Sequence, residues 1–291
     1  MRFLIIGDLH GQMPVFSVTD FDAIIAPGDF CSDAAREHMF AALKERLADP
    51  KSKKQWYDLV GKDEAKKMVL KSLADGRTIL EKLNSFGKPV YLVPGNWDWT
   101  PESDSDWDFL KEDHFDPLIE GLENLHDAHH RLIDAGDVVV IGHGISSGPE
   151  YPQHKEDLAR LDADELAKTK MDYKAQKQHV AMLFEESRKT KKPVVFIPHN
   201  VPFNTPLDLI NNASSPRNGQ HFGSLIAREI IDKYQPLVCV GGHMHEHFTS
   251  CMVGATTCVN AGFGSFVNVI LEIIDEKITT LEFKKVTPDG Q

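Results

Sequence analysis

The chain has 291 residues, 41% apolar and 26% charged, and its 44 acidic and 32 basic side chains give a formal charge of −12. That composition is ordinary for a folded globular protein and excludes wholesale disorder. The negative balance counts against extended nucleic acid as a partner, because neutralising phosphates takes clustered Lys and Arg. No run approaches the ~18 apolar residues of a membrane span. The first apolar segment, Phe3 to Ile6, is too short for a signal peptide, so the expected location is cytoplasmic, with no membrane partner. Cys31, Cys239, Cys251 and Cys258 form no CxxC pair and read as free thiols. Cys31 follows a motif aspartate by two residues and is a candidate to line a site.

Taken in chain order, one event repeats: a short apolar strand ends abruptly in polar, ligand-like residues. RFLII runs into GDLHG, and DAIIAP runs into GDF. A Lys-, Glu-, Ala- and Leu-rich segment, residues 34–86, then predicts helices near Ala34 to Ala48 and Asp63 to Phe86. PVYLVP leads into GNWD, and VVVI leads into GHG. A second charged, helix-favouring segment, residues 154–190, precedes PVVFI with its PHN and PLVCV with its GGHMH. Unbroken runs of β-branched and large apolar residues predict strands buried on both faces, and the helices between them predict crossovers in a largely parallel sheet. From Glu246 the period changes. FTSCM, TTCVNAG, FVNVILEII and KITTLEFKKV read as short antiparallel strands, with a hairpin turn at Asp275, Glu276 and Lys277. The final Thr287 to Gln291 is expected to fray.

Parallel sheets present ligands outside the carboxyl ends of their strands, so polar residues from both ends of the chain can meet on one rim. Asp8 and His10 combine a carboxylate with an imidazole, a donor set for Mn, Fe or Zn rather than Ca. Asp29 offers two oxygens able to bridge two cations. Asn96 adds a neutral amide oxygen, and His199 an imidazole. His243 and His245 alternate, which in extended chain turns both to one side. Singly, each of these is equally a polar turn or a structural histidine; their number at successive strand ends is the signal.

In order they read D-x-H, GD, GN-x-D, H and GH-x-H, and at this point the chain resembles the calcineurin-like metallophosphoesterase superfamily from Gly7 to His247. The resemblance implies an α/β fold, a four-layer α/β/β/α sandwich, as one domain over residues 1–291 with helical insertions at about 34–86 and 154–190. It implies two divalent metal ions, with Mn favoured in vitro over Fe or Zn. Asp8, His10, Asp29 and His245 would hold one ion; Asp29, Asn96, His199 and His243 would hold the other. The implied reaction is in-line attack of metal-bound hydroxide on a small phosphoester, with a nucleotide as one such substrate and a phosphodiester preferred.

The third motif departs from the family, reading GNWD where GNH followed by Asp or Glu is usual. Trp97 stands where a histidine is commonly assigned to the phosphate or the leaving group, and an indole N–H donates but cannot act as an acid. Trp97 is therefore a candidate to wall the pocket or stack on a flat group, beside Asn96 at the substrate. Asp98 loses its usual partner and is a candidate to orient Asn96. His143, after VVVI, is the alternative proton donor. The absence of Arg-Gly after Asp29 weakens the resemblance to protein phosphatases, and GNWD with GHMH looks more like the small prokaryotic phosphodiesterase-like branch. Competing readings are a non-catalytic metal-binding interaction scaffold, favoured by Trp97, and a nuclease, disfavoured by the acidic charge.

Overall fold

The computed structural model describes residues 1–49, 52–103, 105–213, 215 and 217–286. The terminal segment expected to fray, Thr287 to Gln291, lies outside the described residues. The first third of the chain forms β1 (Arg2–Ile5), β2 (Ala23–Ala26), α1 (Arg36–Ala48), α2 (Trp56–Val60), α3 (Lys62–Asn84) and β3 (Val90–Leu92). Short elements follow: α4 (Asp108–Lys111), α5 (Phe115–Ile119), β4 (Leu125–Asp127), β5 (Leu132–Asp134), β6 (Val139–His143) and α6 (Lys155–Leu158). Then come α7 (Ala163–Ser187), β7 (Val194–Pro198), α8 (Leu225–Tyr234), β8 (Val238–Gly241), β9 (Ser250–Val253), β10 (Thr256–Asn260), β11 (Val267–Ile274) and β12 (Lys277–Lys285).

The strands divide between two six-stranded sheets, ordered β12-β11-β1-β2-β3-β4 and β5-β6-β7-β8-β10-β9. In the first, β1 to β4 run parallel and β11 lies antiparallel to β1. In the second, β6, β7, β8 and β10 run parallel between the antiparallel edges β5 and β9. The unbroken apolar runs serve both faces of each sheet. Phe3, Ile5, Ile25, Val140, Ile197 and Val240 fill the space between the sheets. Their sequence neighbours Leu4, Ile24 and Leu92 face one helical layer, and Val139, Ile141 and Phe196 face the other. Each such fully buried side chain contributes about 1.5–3 kcal/mol.

This is the four-layer α/β/β/α sandwich. The two segments read as insertions carry its outer layers: Val69, Ile79, Leu80 and Leu83 of α3 pack on the first sheet, and Tyr173, Val180 and Phe184 of α7 on the second. One detail differs from expectation. β10 is parallel to β8 rather than wholly antiparallel in its setting, because β9 takes the sheet edge and returns β10 beside β8. The β11–β12 hairpin turns on Asp275 and Glu276, both at positive φ (49° and 61°), the conformation that matches strand twist in a two-residue turn; Lys277 already belongs to β12. Among the described residues no helix is long and apolar enough to cross a membrane.

The division into two sheets decides where the polar strand ends go. Asp8, Asp29 and Asn96 follow β1, β2 and β3 of the first sheet, while His199 and His243 follow β7 and β8 of the second. Both sheets deliver their carboxyl ends to a common rim.

Candidate active site

On that rim two groups form: Asp8, His10 and His245, and Asp29, His199 and His243, the ligand atoms of each lying within 4.8 Å of one another. Asp29 joins them. Its Oδ2 lies 3.6 Å from His10 Nε2 and 3.5 Å from His199 Nε2. His10 Nε2 is 3.3 Å from His245 Nε2, which is 3.9 Å from Asp8 Oδ2. Asn96 Oδ1 completes the second group, 3.0 Å from His199 Nε2 and 2.8 Å from His243 Nδ1.

The expected reason for this convergence, alternation along extended chain, is not the one the backbone uses. Asp8, His10, Asp29 and His243 all have left-handed φ values, at 50°, 44°, 58° and 67°. Each strand ends in a sharp reversal that swings its ligand over the rim. Non-glycine residues held so cost on the order of 1–3 kcal/mol each and persist where surrounding contacts over-determine them.

Those contacts are visible. The Asp98 carboxylate, fully buried, accepts four backbone N–H bonds, from Asp29 (2.8 Å), Phe30 (2.8 Å), Cys31 (3.0 Å) and Gly95 (2.7 Å). It thereby ties the loop after β2 to the loop after β3. Every bond holds backbone, and the carboxylate faces no open space, so Asp98 is a positioning residue for Asp29 and Asn96. Trp97 donates its backbone N–H to Asp29 Oδ1 at 2.9 Å, which leaves Oδ2 for the shared position. A Cβ on Gly95 would collide with Asp29 Oδ1, so only glycine lets the two loops approach.

His199 donates its Nδ1–H to the carbonyl of Pro27 at 2.7 Å. Its Nε2 therefore carries a lone pair, aimed at Asn96 Oδ1 and Asp29 Oδ2, neither of which has a proton to offer when Asp29 is ionised. Asp8 Oδ1 is buried with no hydrogen-bond partner. Acceptors facing acceptors at hydrogen-bond range fit divalent cations, which would take these lone pairs.

Titration follows the same logic. Burial, reinforced by each other's charge and that of Asp98, raises the pKa of Asp29 well above the usual carboxylate range, and burial does the same to Asp8. Burial and neighbouring imidazoles lower His10 to about 3. Burial lowers His199 to about 4 against the bond to Pro27, and lowers His245 to about 4 with help from Arg36. The imidazoles are neutral near pH 7, the form that binds metal.

His143 does not join the cluster. In β6 it shares the face of Val139 and Ile141, which pack on the outer helical layer, so strand alternation turns its ring away from the rim. Its Nδ1 lies 3.2 Å from His130 Nε2 and its Nε2 3.4 Å from Glu150 Oε1, in a neighbouring cavity of about 490 Å³. Cys31 is fully buried under α3 rather than lining the site, with its sulfur against Gly76. Trp97 does reach the rim, its ring 6.2 Å from that of His10, and lines a cavity of about 660 Å³ together with Asn96 and His243.

Two residues escaped the sequence reading. Arg36, at the start of α1, lies close enough to His10 and His245 for its charge to depress both pKa values. Phe263 stacks on His10 at 5.7 Å and meets His245 edge-on at 5.2 Å, covering one side of the first group. The signal for Arg36 was its position seven residues after Asp29 at the start of a helix that returns across the rim; Phe263 had the adjoining VNAG turn.

In sequence, residues 1–247 match the calcineurin-like phosphoesterase family. No curated protein matches the chain in sequence. Among solved structures it is similar to TT1561 of Thermus thermophilus, at 15% identity and a TM-score of 0.53, over 98% of this chain and 99% of that one. It is also similar to a dimetal phosphatase from Danio rerio, at 8% identity and a TM-score of 0.53, over 98% of both chains. Those two likenesses concern the fold. The sequence match spans all five strand-end motifs, and by it the chain belongs to the calcineurin-like phosphoesterases, a family of dinuclear metal-dependent hydrolases of phosphoric esters.

Proposed function

We propose that this protein is a dinuclear-metal-dependent phosphodiesterase acting on a small or nucleotide-like phosphoester, with Mn²⁺ the favoured ion in vitro. Asp8, His10, Asp29 and His245 would hold one ion, and Asp29, Asn96, His199 and His243 the other. The observation that carries this reading is the His199 Nε2 lone pair facing Asn96 Oδ1 and Asp29 Oδ2 at 3.0 and 3.5 Å, with ring nitrogens of His243 and His10 2.8 and 3.6 Å from the same two oxygens. Two divalent cations would supply Lewis acidity to a phosphate oxygen and lower the pKa of a water.

The chain's own residues set the geometry. The Trp97 amide fixes which oxygen of Asp29 is shared, and the Pro27 carbonyl fixes the His199 tautomer. Arg36 adds a positive charge beside the first group and favours an anionic substrate there. Trp97 walls the side where the organic group lies and offers no acidic proton, so the departing oxygen takes its proton from solvent. Esters with good leaving groups are accordingly the better substrates. Thiols such as Cys251 and Cys258, paired across a β-ladder and free, fit a reducing, cytoplasmic setting.

The test is hydrolysis of a nitrophenyl phosphodiester and its monoester by metal-stripped protein, with and without Mn²⁺, beside Asp29→Asn. Mn²⁺-dependent turnover lost in Asp29→Asn supports the proposal, and the ratio of the two esters decides diester against monoester. The Trp97 substitution favours one second reading, a metal-binding scaffold without catalysis. Stoichiometric uptake of metal with no turnover of either ester would establish that reading instead.

A further inference from the structure

The cavity at the rim is far larger than a phosphate needs, and part of its wall has a distinct chemistry. Asn96, Trp97 and His243 of the ligand cluster line it. So does α1, through Met39, Phe40, Leu43 and Leu47, with Ile210 and Phe222. Met39 also packs against the core, but Phe40 and Leu43 are not consumed by it: Ala42 is the one buried residue of the helix, while Phe40 is 49% and Leu43 39% exposed. From Met39 to Leu47 the stripe runs about 12 Å at the helical rise of about 1.5 Å per residue. None of its four side chains carries a hydrogen-bonding group, so this stripe makes no hydrogen bond to a nucleobase edge, although Gln55, Ser147 and Ser215 also line the cavity. The stripe suits a methylene chain.

Charge completes the match. Arg46, Arg160 and Arg217 line the same cavity, against the single lining carboxylate Glu102. Arg217 is clamped by both oxygens of Asp157 at 2.6 and 2.7 Å and stacks over Phe222 at 4.5 Å, and Arg160 shares that carboxylate at 3.4 Å. Asp157 offsets part of that charge, and Arg46 adds to it; a largely apolar trough shared with the ligand cluster and lined in part by guanidinium groups suits an anion with an apolar chain.

Resting on the phosphodiesterase reading, we infer that the preferred substrate is a phosphodiester bearing an alkyl or acyl-like chain of about ten carbons, its phosphate at the ligand cluster and its chain along α1. Phe40 and Leu43 are then specificity-determining residues, and a nucleoside is the wrong organic group.

The experiment compares three nitrophenyl phosphodiesters under Mn²⁺, with the retained group methyl, decyl or thymidine, below the micellar concentration of the decyl ester. In each, water adds to phosphorus as the bond to nitrophenolate breaks, so only the retained group varies. The decyl ester is expected to exceed the methyl ester in kcat/KM by at least about 30-fold, as burying a few methylenes allows. That decyl-to-methyl ratio falls toward 1 in Phe40→Gln/Leu43→Gln, whose sites are exposed enough to tolerate the change. Equal rates for decyl and methyl overturn the inference and leave the phosphodiesterase standing. A faster thymidine ester overturns it in favour of a nucleotide. If no ester turns over, the phosphodiesterase reading fails, and calorimetric binding of decylphosphonate against methylphosphonate decides the trough by itself: equal affinity refutes it, tighter decyl binding upholds it.

Discussion

Two histidine assemblies lie on adjacent strands, and only one gathers its nitrogens with carboxylates at common points. His199 and His143 are linked directly, the N–H of His199 donating to the carbonyl of His143 at 3.0 Å. In the ladder, however, His143 sits opposite Pro198, one residue short of His199. That offset of one sends the rings to opposite faces of the sheet. His199 turns toward the first sheet and the Pro27 carbonyl. His143 turns outward to a pile of parallel rings, 5.4 Å and 9° from His130, which itself lies 4.0 Å from His129. In the stack, His130 and His143 pair by ring nitrogens and His129 accepts from the Gly144 amide, while the rings around Asp29 bring their nitrogens to common points. Convergence, rather than histidine content, makes the candidate centre.

The sharpest way to break this comparison is to delete one ring from each assembly. His199→Ala is expected to weaken one of the two metal sites by more than the roughly 10–100-fold typical of losing an outer hydrogen-bond partner, whereas His143→Ala retains two ions per chain. Metal content after dialysis against graded Mn²⁺ reads both, and loss of an ion in His143→Ala would contradict the division. Next in size, Asp98→Asn replaces an acceptor of four backbone amides with a group that must turn an NH₂ toward some of them. A stability loss of about 2–4 kcal/mol is expected from the charged bonds and the unpaired donors, measured by urea unfolding of the Mn²⁺-loaded protein. An unchanged midpoint would deny Asp98 its positioning role.

Acid provides the third contrast. Burial and neighbouring rings lower His129 to about 2 and His130 to about 4, below the ordinary value of about 6.5. Above pH 6.5 these imidazoles are neutral whether the chain is folded or not, and their contribution is fully present. As pH falls from about 6.5 toward 4 the unfolded chain takes up protons the folded one refuses, and that stability is lost. The raised pKa values of Asp8 and Asp29 act oppositely in the metal-stripped protein, since their folded forms accept protons first. His129→Gln/His130→Gln is therefore expected to flatten the fall in Tm between pH 6.5 and 4, and an identical slope would remove the stack from the account. The smallest expected effect is Trp97→His, which restores a titratable group at the rim. About a tenfold gain in the rate of an alkyl ester relative to a nitrophenyl ester is expected, below the full range for a positioned acid, and no change in that ratio would show the leaving group lies elsewhere.

Much of this was legible in the chain because β1, β2, β3, β7 and β8 are unbroken apolar runs that stop at Gly-Asp, Gly-Asn or histidine. The same property hid the rest. Runs apolar on both faces carry no alternation, so nothing in VVVIGH tells which face His143 will take. Nor do they announce that the strands belong to two sheets rather than one. The left-handed residues Asp8, Asp29 and His243 are not glycines, so the glycine before each does not reveal the turn itself, and β4 and β5 are each three residues long. Arg36 became part of the site only through the path of α1, a tertiary fact.

The antiparallel pairing of β11 with β1 has a consequence for biosynthesis. β1 leads into Asp8 and His10, yet one of its two neighbours, β11, is synthesised only after His245. His199, His243 and His245 also emerge late. A nascent chain long enough to display Asp8, His10, Asp29 and Asn96 still lacks three imidazoles and leaves β1 as an open sheet edge. Metal capture through these residues would thus wait until the chain beyond His245 has emerged, and a ribosome stalled before His199 would hold a chain with little grip on any ion.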